Sequence, residues 1–107
     1  MSYRNEQVSK ELLKALSRVI QEELPLEKYG LVAVTDVVVT RGLEHAKVFV
    51  SAMRHGRNLV KELNERVHFF TARAKKLVAL RKIPTITFEY DISNERVERM
   101  EELMGEG

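Results

Sequence analysis

At 107 residues, 44% of them apolar, the chain has material for one hydrophobic core and too little for a second. Its longest apolar runs, such as 31–34 and 37–39, fall far short of the roughly 20 residues a bilayer-spanning helix needs. The absence of cysteine excludes disulfides and thiolate metal sites. The net charge of +2 conceals an asymmetry: residues 54–82 carry nine basic and two acidic side chains, a local charge of +7, whereas residues 1–53 balance to 0 and residues 83–107 to −5. A concentrated positive field attracts a polyanion such as nucleic acid, although a charged run is also what a solvated helix face looks like.

The first fifteen residues have charges throughout and no apolar block before a small-residue cleavage site, so no secretory signal is expected and the cytoplasm is the expected compartment. Val8, Leu12, Leu13, Leu16, Val19, Ile20 and Leu24 recur at steps that line one helix face. This predicts a long amphipathic helix that stops at Pro25, with Tyr29-Gly30 turning the chain. Residues 31–40 (LVAVTDVVVT) are dense in β-branched side chains and predict a strand. After the loop Arg41-Gly42-Leu43, residues 46–52 alternate Ala46, Val48, Val50 and Ala52 against Lys47, Phe49 and Ser51, which predicts a second strand paired with the first as a hairpin.

The period then changes. Leu59, Val60, Leu63, Val67, Phe70, Ala74, Leu77 and Val78 follow helical spacing after Gly56, and a straight helix of that length would overshoot so small a sheet, so a bend is expected, with Pro84 as the stop. Ile86, Phe88, Tyr90 and Ile92 alternate with Thr85, Thr87, Glu89 and Asp91, predicting a third strand. From Ser93 onward Val97, Met100, Leu103 and Met104 suggest a short acidic helical tail. Helical segments between the second and third strands favour a parallel crossover. The predicted class is therefore α+β, a three-stranded mixed sheet with helices on one face.

On a helical wheel, Phe69, Arg73 and Lys76 flank the apolar stripe of the basic segment and Arg66 sits at its border. Such a surface can bind phosphates through Arg73 and Lys76 and stack an unpaired base on Phe69, or Phe69 can simply widen the core stripe. Lys75 points away from the core on either reading, and Arg81-Lys82 precede Pro84 where phosphate binding and plain solvation are both open. On the first helix Lys10, Lys14 and Arg18 form a row at four-residue steps, a backbone-tracking line or a solvated face. Catalytic chemistry is sparse. His45, His55 and His68 have no metal-ligand spacing, the glycines are too far apart for a phosphate loop, and Glu89 and Asp91 share a strand face where solubilising carboxylates are common. No metal, no cofactor and no enzyme activity are expected.

The stretches LVAVTDVVVT, LEHAKVFVSA and LRKIPTITFEYD stand in an order and spacing that resembles the ribosome-binding factor A family, with Leu80, Arg81, Pro84, Phe88 and Asp91 at the family's positions. The resemblance spans nearly the whole chain. It implies a type II KH-like domain, α-β-β-α-α-β, over residues 1–92, followed by the acidic tail 93–107, and without the GXXG loop of RNA-binding KH domains. It further implies a monomeric, noncatalytic and often cold-responsive factor that binds the small (30S) ribosomal subunit precursor and supports 5′-end processing of 16S rRNA. The expected RNA contacts are Lys10, Lys14, Arg18, Arg66, Phe69, Arg73, Lys75, Lys76, Arg81 and Lys82. Where the family has a kink of small residues of the Ala-Ser-Gly sort, this chain reads Arg66-Val67-His68; the arginine usual just after it aligns with Thr71, with Arg73 two positions on. Gly42 stands where the family commonly has Asp. A protein-binding adaptor using the acidic tail or a sheet edge is the alternative reading.

Overall fold

In the computed structural model, which describes residues 3–93, the apolar stripe of the first helix is the backbone of the core. Helix α1 (Tyr3–Glu23) buries Val8, Leu12, Ala15, Leu16, Val19 and Ile20. It ends before Pro25, which opens the single turn α2 (Leu26–Tyr29). Strand β1 (Val32–Val39) then pairs antiparallel with β2 (His45–Ala52) through a tight 3-10 turn at Arg41–Leu43. The turn holds both Gly42 (φ 84°) and Leu43 (φ 59°) in the left-handed region. Strand β3 (Thr85–Tyr90) lies parallel to β2, giving the sheet order β1-β2-β3.

A β-bulge between Val34 and Asp36 sets the phase of β1. Strict alternation from Val34 would point Asp36 and Val38 inward. The extra residue flips the second half, so that Val34, Val37 and Val39 are buried while Val38 is 40% exposed. With Ala46, Val48, Val50, Ile86 and Phe88, these side chains form the sheet's inner face. The opposite face carries Val38 and the Lys47–Glu89 ion pair (3.7 Å), so the helices do cover one face of a mixed sheet.

Helix α3 (Gly56–Glu65) places Leu59 and Leu63 in the core. Gly56 allows a close approach that no other residue would: a Cβ there would lie 2.2 Å from the Tyr90 ring. The expected bend is a one-residue break at Arg66 (φ −110°, ψ 23°), after which α4 (Val67–Lys75) buries Phe70 and Ala74. The break needs no small residue, because Phe70 N–H still reaches the Arg66 carbonyl at 3.2 Å and the ladder closes around it.

Two sequence expectations need correction. Helical spacing continues to Val78 and the expected stop is Pro84, yet α4 ends at Lys75, nine residues before that proline. Leu77, expected in the core stripe, is 46% exposed. A further helical turn would carry the chain away from the sheet, whereas leaving the helix lets Val78, Leu80 and Ile83 pack against the core on the way to β3. The acidic tail predicted from residue 93 lies, beyond Ser93 itself, outside the described residues.

Each edge strand is engaged by a side chain at one position. On β3, the Asn64 amide donates to the Phe88 carbonyl (3.0 Å) and accepts from the Phe88 N–H (2.9 Å). On β1, the bulge is joined by the Asp36 carboxylate, which accepts from the Val37 N–H at 2.8 Å. An edge so occupied is a poor template for strand addition.

Candidate nucleic-acid interface

The path of the chain after the Arg66 break brings Arg73, Arg81 and Lys82 beside α1. Arg73 meets the C-terminal end of α1, where its guanidinium pairs with Glu22 (3.3 Å) and Glu23 (3.0 Å). Further along the chain, Arg81 and Lys82 line a cleft together with Gln7, Val8 and Glu11, near the N-terminal end of the same helix. The segment therefore runs antiparallel beside α1. Lys75 and Lys76, at the end of α4, lie between those two anchor points in the chain and are exposed. Their position also suits the negative end of the helix dipole.

On α1 itself Lys10 and Lys14 are exposed and flank a shallow groove with Glu6, Gln7 and Glu11, the last two shared with the cleft that Arg81 and Lys82 line. Lys10, Lys14, Lys75, Lys76, Arg81 and Lys82 have no ion-pair partner among the described residues. Six cations thus face solvent with their charge uncompensated by direct pairing.

The remaining expected contacts are arranged differently. Arg18 donates to Glu22 at 3.1 Å in an exposed i,i+4 pair, a contact worth only about 0.3–0.5 kcal/mol and readily exchanged for another anion. Arg73 joins the same carboxylate, so Arg18, Glu22, Arg73 and Glu23 form one linked cluster that ties α4 to α1. Arg66 faces Glu62 at 3.8 Å and lies over both the Phe69 ring (4.8 Å to its centroid) and the Phe70 ring (5.2 Å). Phe69 packs edge-on against buried Phe70 at 5.3 Å between centroids, with Arg73 on it as well at 5.8 Å. The Phe69 ring is thus half-buried and flanked by the chain's own guanidinium groups.

Glu62 anchors a second cluster. It accepts from the hydroxyl of fully buried Tyr29 (2.8 Å) and from the Lys28 ammonium (3.0 Å). Burial pushes its carboxyl up, but the hydrogen bonds from Tyr29 and Lys28 outweigh that and hold it below the ordinary value. The hydrogen bond to Glu62 raises Lys28, while burial first and Glu62 second raise the Tyr29 phenol. The carboxylates Glu22, Glu23 and Glu62 are functional neighbours that sequence reasoning does not single out. The spacings Arg18–Glu22 and Glu62–Arg66 are i,i+4 and open to view, whereas Arg73 meeting Glu22 and Glu23 depends on tertiary packing.

The remaining polar groups singled out in the sequence stand apart from one another among the described residues. His45, His55 and His68 are separately exposed, and no group of three His, Cys, Asp or Glu side chains able to hold a metal ion occurs among the described residues. No described helix is long and apolar enough to cross a membrane. Glu89 is engaged by Lys47. Asp91 is held below its ordinary range first by the Thr35 hydroxyl, against burial, and then by the Ser93 N–H at 2.9 Å, the opposite direction from a general acid tuned toward neutrality.

A helix-covered sheet of this order, with a broken helix pair between its parallel strands, defines a KH-like α+β domain. The chain belongs to the ribosome-binding factor A family, whose model matches residues 4–104. Among its relatives, ribosome-binding factor A of Natranaerobius thermophilus is 34% identical over 104 residues, covering 94% of this chain and 79% of that protein. That of Stenotrophomonas maltophilia is 34% identical over 107 residues, covering 95% and 82%. The crystal structure of ribosome-binding factor A from Thermus thermophilus shares the fold with a TM-score of 0.71 at 23% identity, over 80% of this chain and 94% of that one. A homology model of the Thermus thermophilus factor, fitted into the cryo-EM map of its complex with 30S, aligns with a TM-score of 0.71 at 22% identity, over 87% and 97%.

Proposed function

We propose that this protein binds the small (30S) ribosomal subunit precursor in the cytoplasm and supports late maturation and 5′-end processing of 16S rRNA, as a monomer and without catalysis of its own. The observation that carries this reading is a set of four cations without an ion-pair partner among the described residues, Lys10, Lys14, Arg81 and Lys82, that border two adjoining grooves along α1, with exposed Lys75 and Lys76 on the segment that runs beside it. Family membership supports it, as does the complex in which the Thermus relative is fitted on 30S. In this reading the six cations and Arg18 contact phosphates, Arg66 and Phe69 border the contact, and Arg73 ties its two segments together.

Binding of this kind is mainly electrostatic. If about five phosphates of unpaired RNA are neutralised, log affinity falls against log salt with a slope near −3 to −4. Sedimenting the protein with immature and mature small subunits across a salt series measures this directly, and a response that is flat in salt would overturn the reading. Strand addition, one form of the adaptor alternative, would have to displace the Asn64 bonds to Phe88 on β3 or meet the bulge at Asp36 on β1.

A further inference from the structure

The cleft between α1, the Arg41–Leu43 turn and the connection into β3 has a composition that phosphate binding alone does not use. Its volume is about 670 Å³, in the range of pockets that enclose small ligands. Val8, Leu43 and Leu80 give it apolar walls, and Arg81 and Lys82 supply cations. Gln7 and Glu11, one helical turn apart on α1, also line it, and neither has a hydrogen-bond or ion-pair partner among the described residues. A carboxylate placed inside a phosphate-binding surface weakens the attraction for the RNA backbone. Its presence is useful if it accepts hydrogen bonds from something the RNA carries besides phosphate.

We propose that this cleft receives one unpaired guanine of the bound RNA, its Watson–Crick edge on Glu11 and its neighbouring phosphates on Arg81 and Lys82. The inference rests on the RNA-binding reading above and deepens it. Among the four bases, guanine alone presents two adjacent donors, N1–H and the N2 amino group, which match the two oxygens of a carboxylate. Adenine and cytosine offer a single donor group beside an acceptor on that edge, and uracil offers one donor, N3–H, between two carbonyl oxygens that a carboxylate repels. Apolar walls suit the faces of an unstacked base, and recognition of splayed bases by edge and face is the usual route to sequence preference in single-stranded RNA.

Fluorescence anisotropy of the full chain at low salt, with labelled U6 and with the same hexamer carrying one central G, tests this. The guanine hexamer is expected to bind about tenfold more tightly. Replacing that G by inosine, which lacks the N2 amino group, should remove most of the gain. Glu11→Gln should abolish the preference while leaving U6 affinity equal or higher, because a surface charge is lost without disturbing the fold. Equal binding of both hexamers, or a preference that survives Glu11→Gln, would overturn the cleft assignment and leave the RNA-binding reading standing. If neither hexamer binds, the cleft assignment fails, and failure to bind the small-subunit precursor as well would take the RNA-binding reading with it.

Discussion

Toward the C-terminal end of α1, Arg18 and Arg73 share Glu22 and Arg73 also holds Glu23; toward its N-terminal end, Lys10, Lys14, Arg81 and Lys82 face solvent without an ion-pair partner among the described residues. Both ends look equally basic when charges are counted along the sequence. They differ in what the charge does. At the first end, guanidinium groups are used as planar clamps between helices and over aromatic rings, a task for which arginine is suited. At the second, three lysines and one arginine stand as mobile charges that a phosphate can meet without first breaking an ion pair. A basic segment is therefore a poor guide to a binding site until its carboxylate neighbours are known.

The comparison breaks most visibly if the unpaired cations are removed together. The variant Lys75→Ala/Lys76→Ala/Arg81→Ala/Lys82→Ala is expected to bind small-subunit precursors at least about a hundredfold more weakly near physiological salt. Its salt slope should become shallower by roughly 0.7 for each phosphate no longer neutralised. Thermal stability should stay unchanged, since none of the four makes an ion pair among the described residues. Retention of wild-type affinity in a sedimentation assay would remove this end from the interface.

A second variant acts on the Tyr29–Glu62–Lys28 cluster and changes folding rather than binding. Glu62→Ala leaves the hydroxyl of Tyr29 without its acceptor inside the core, which costs about 2 kcal/mol. The same residue gives a pH signature. Its carboxyl is depressed in the folded state, so its contribution is fully present above the ordinary value of 4.5 and is lost as pH falls through the lower folded value. Denaturant melts of Glu62→Gln should therefore depend less steeply on pH below 4.5 than those of the wild type. Some slope should remain, because Asp91 is shifted in the same direction. An unchanged pH profile would show that the Tyr29–Glu62–Lys28 cluster contributes nothing to stability.

Sequence reasoning recovers what short-range pattern dictates. The stripe of α1, the alternation of β2 and β3, the hairpin, and the parallel crossover all follow from spacing and connection length. What it misses depends on partners distant in the chain. The bulge at Val34 and Asp36 is a mismatch between two strands, invisible in either alone, yet it decides that Val38 faces out and Val39 faces in. The early end of α4 is invisible for a related reason: Val78, Leu80 and Ile83 are apolar enough to continue a helix, and only the position of the sheet makes the extended path better. The cations Lys10, Lys14, Arg81 and Lys82 can be named from sequence, but the cleft that Arg81 and Lys82 line is assembled from α1, the β1–β2 turn and the approach to β3, so Gln7 and Glu11 carry no local signal.

The finest test lies at Arg73, where sequence alone does not separate the two roles. If Arg73 is a phosphate contact, Arg73→Ala should make the salt slope shallower, as Lys76→Ala should. If it is a clamp between α4 and α1, the slope should hold and stability should fall instead, by no more than about 1 kcal/mol because the pair is substantially exposed and screened. Affinity would still drop slightly at low salt, because Glu22 and Glu23 are left uncompensated beside the bound backbone. Adding Glu23→Gln to Arg73→Ala should then recover part of that affinity without recovering the stability. The salt slope separates the two roles: for a phosphate contact it would remain shallow in the double variant, since removing a neighbouring acid cannot restore the missing ion pair with RNA.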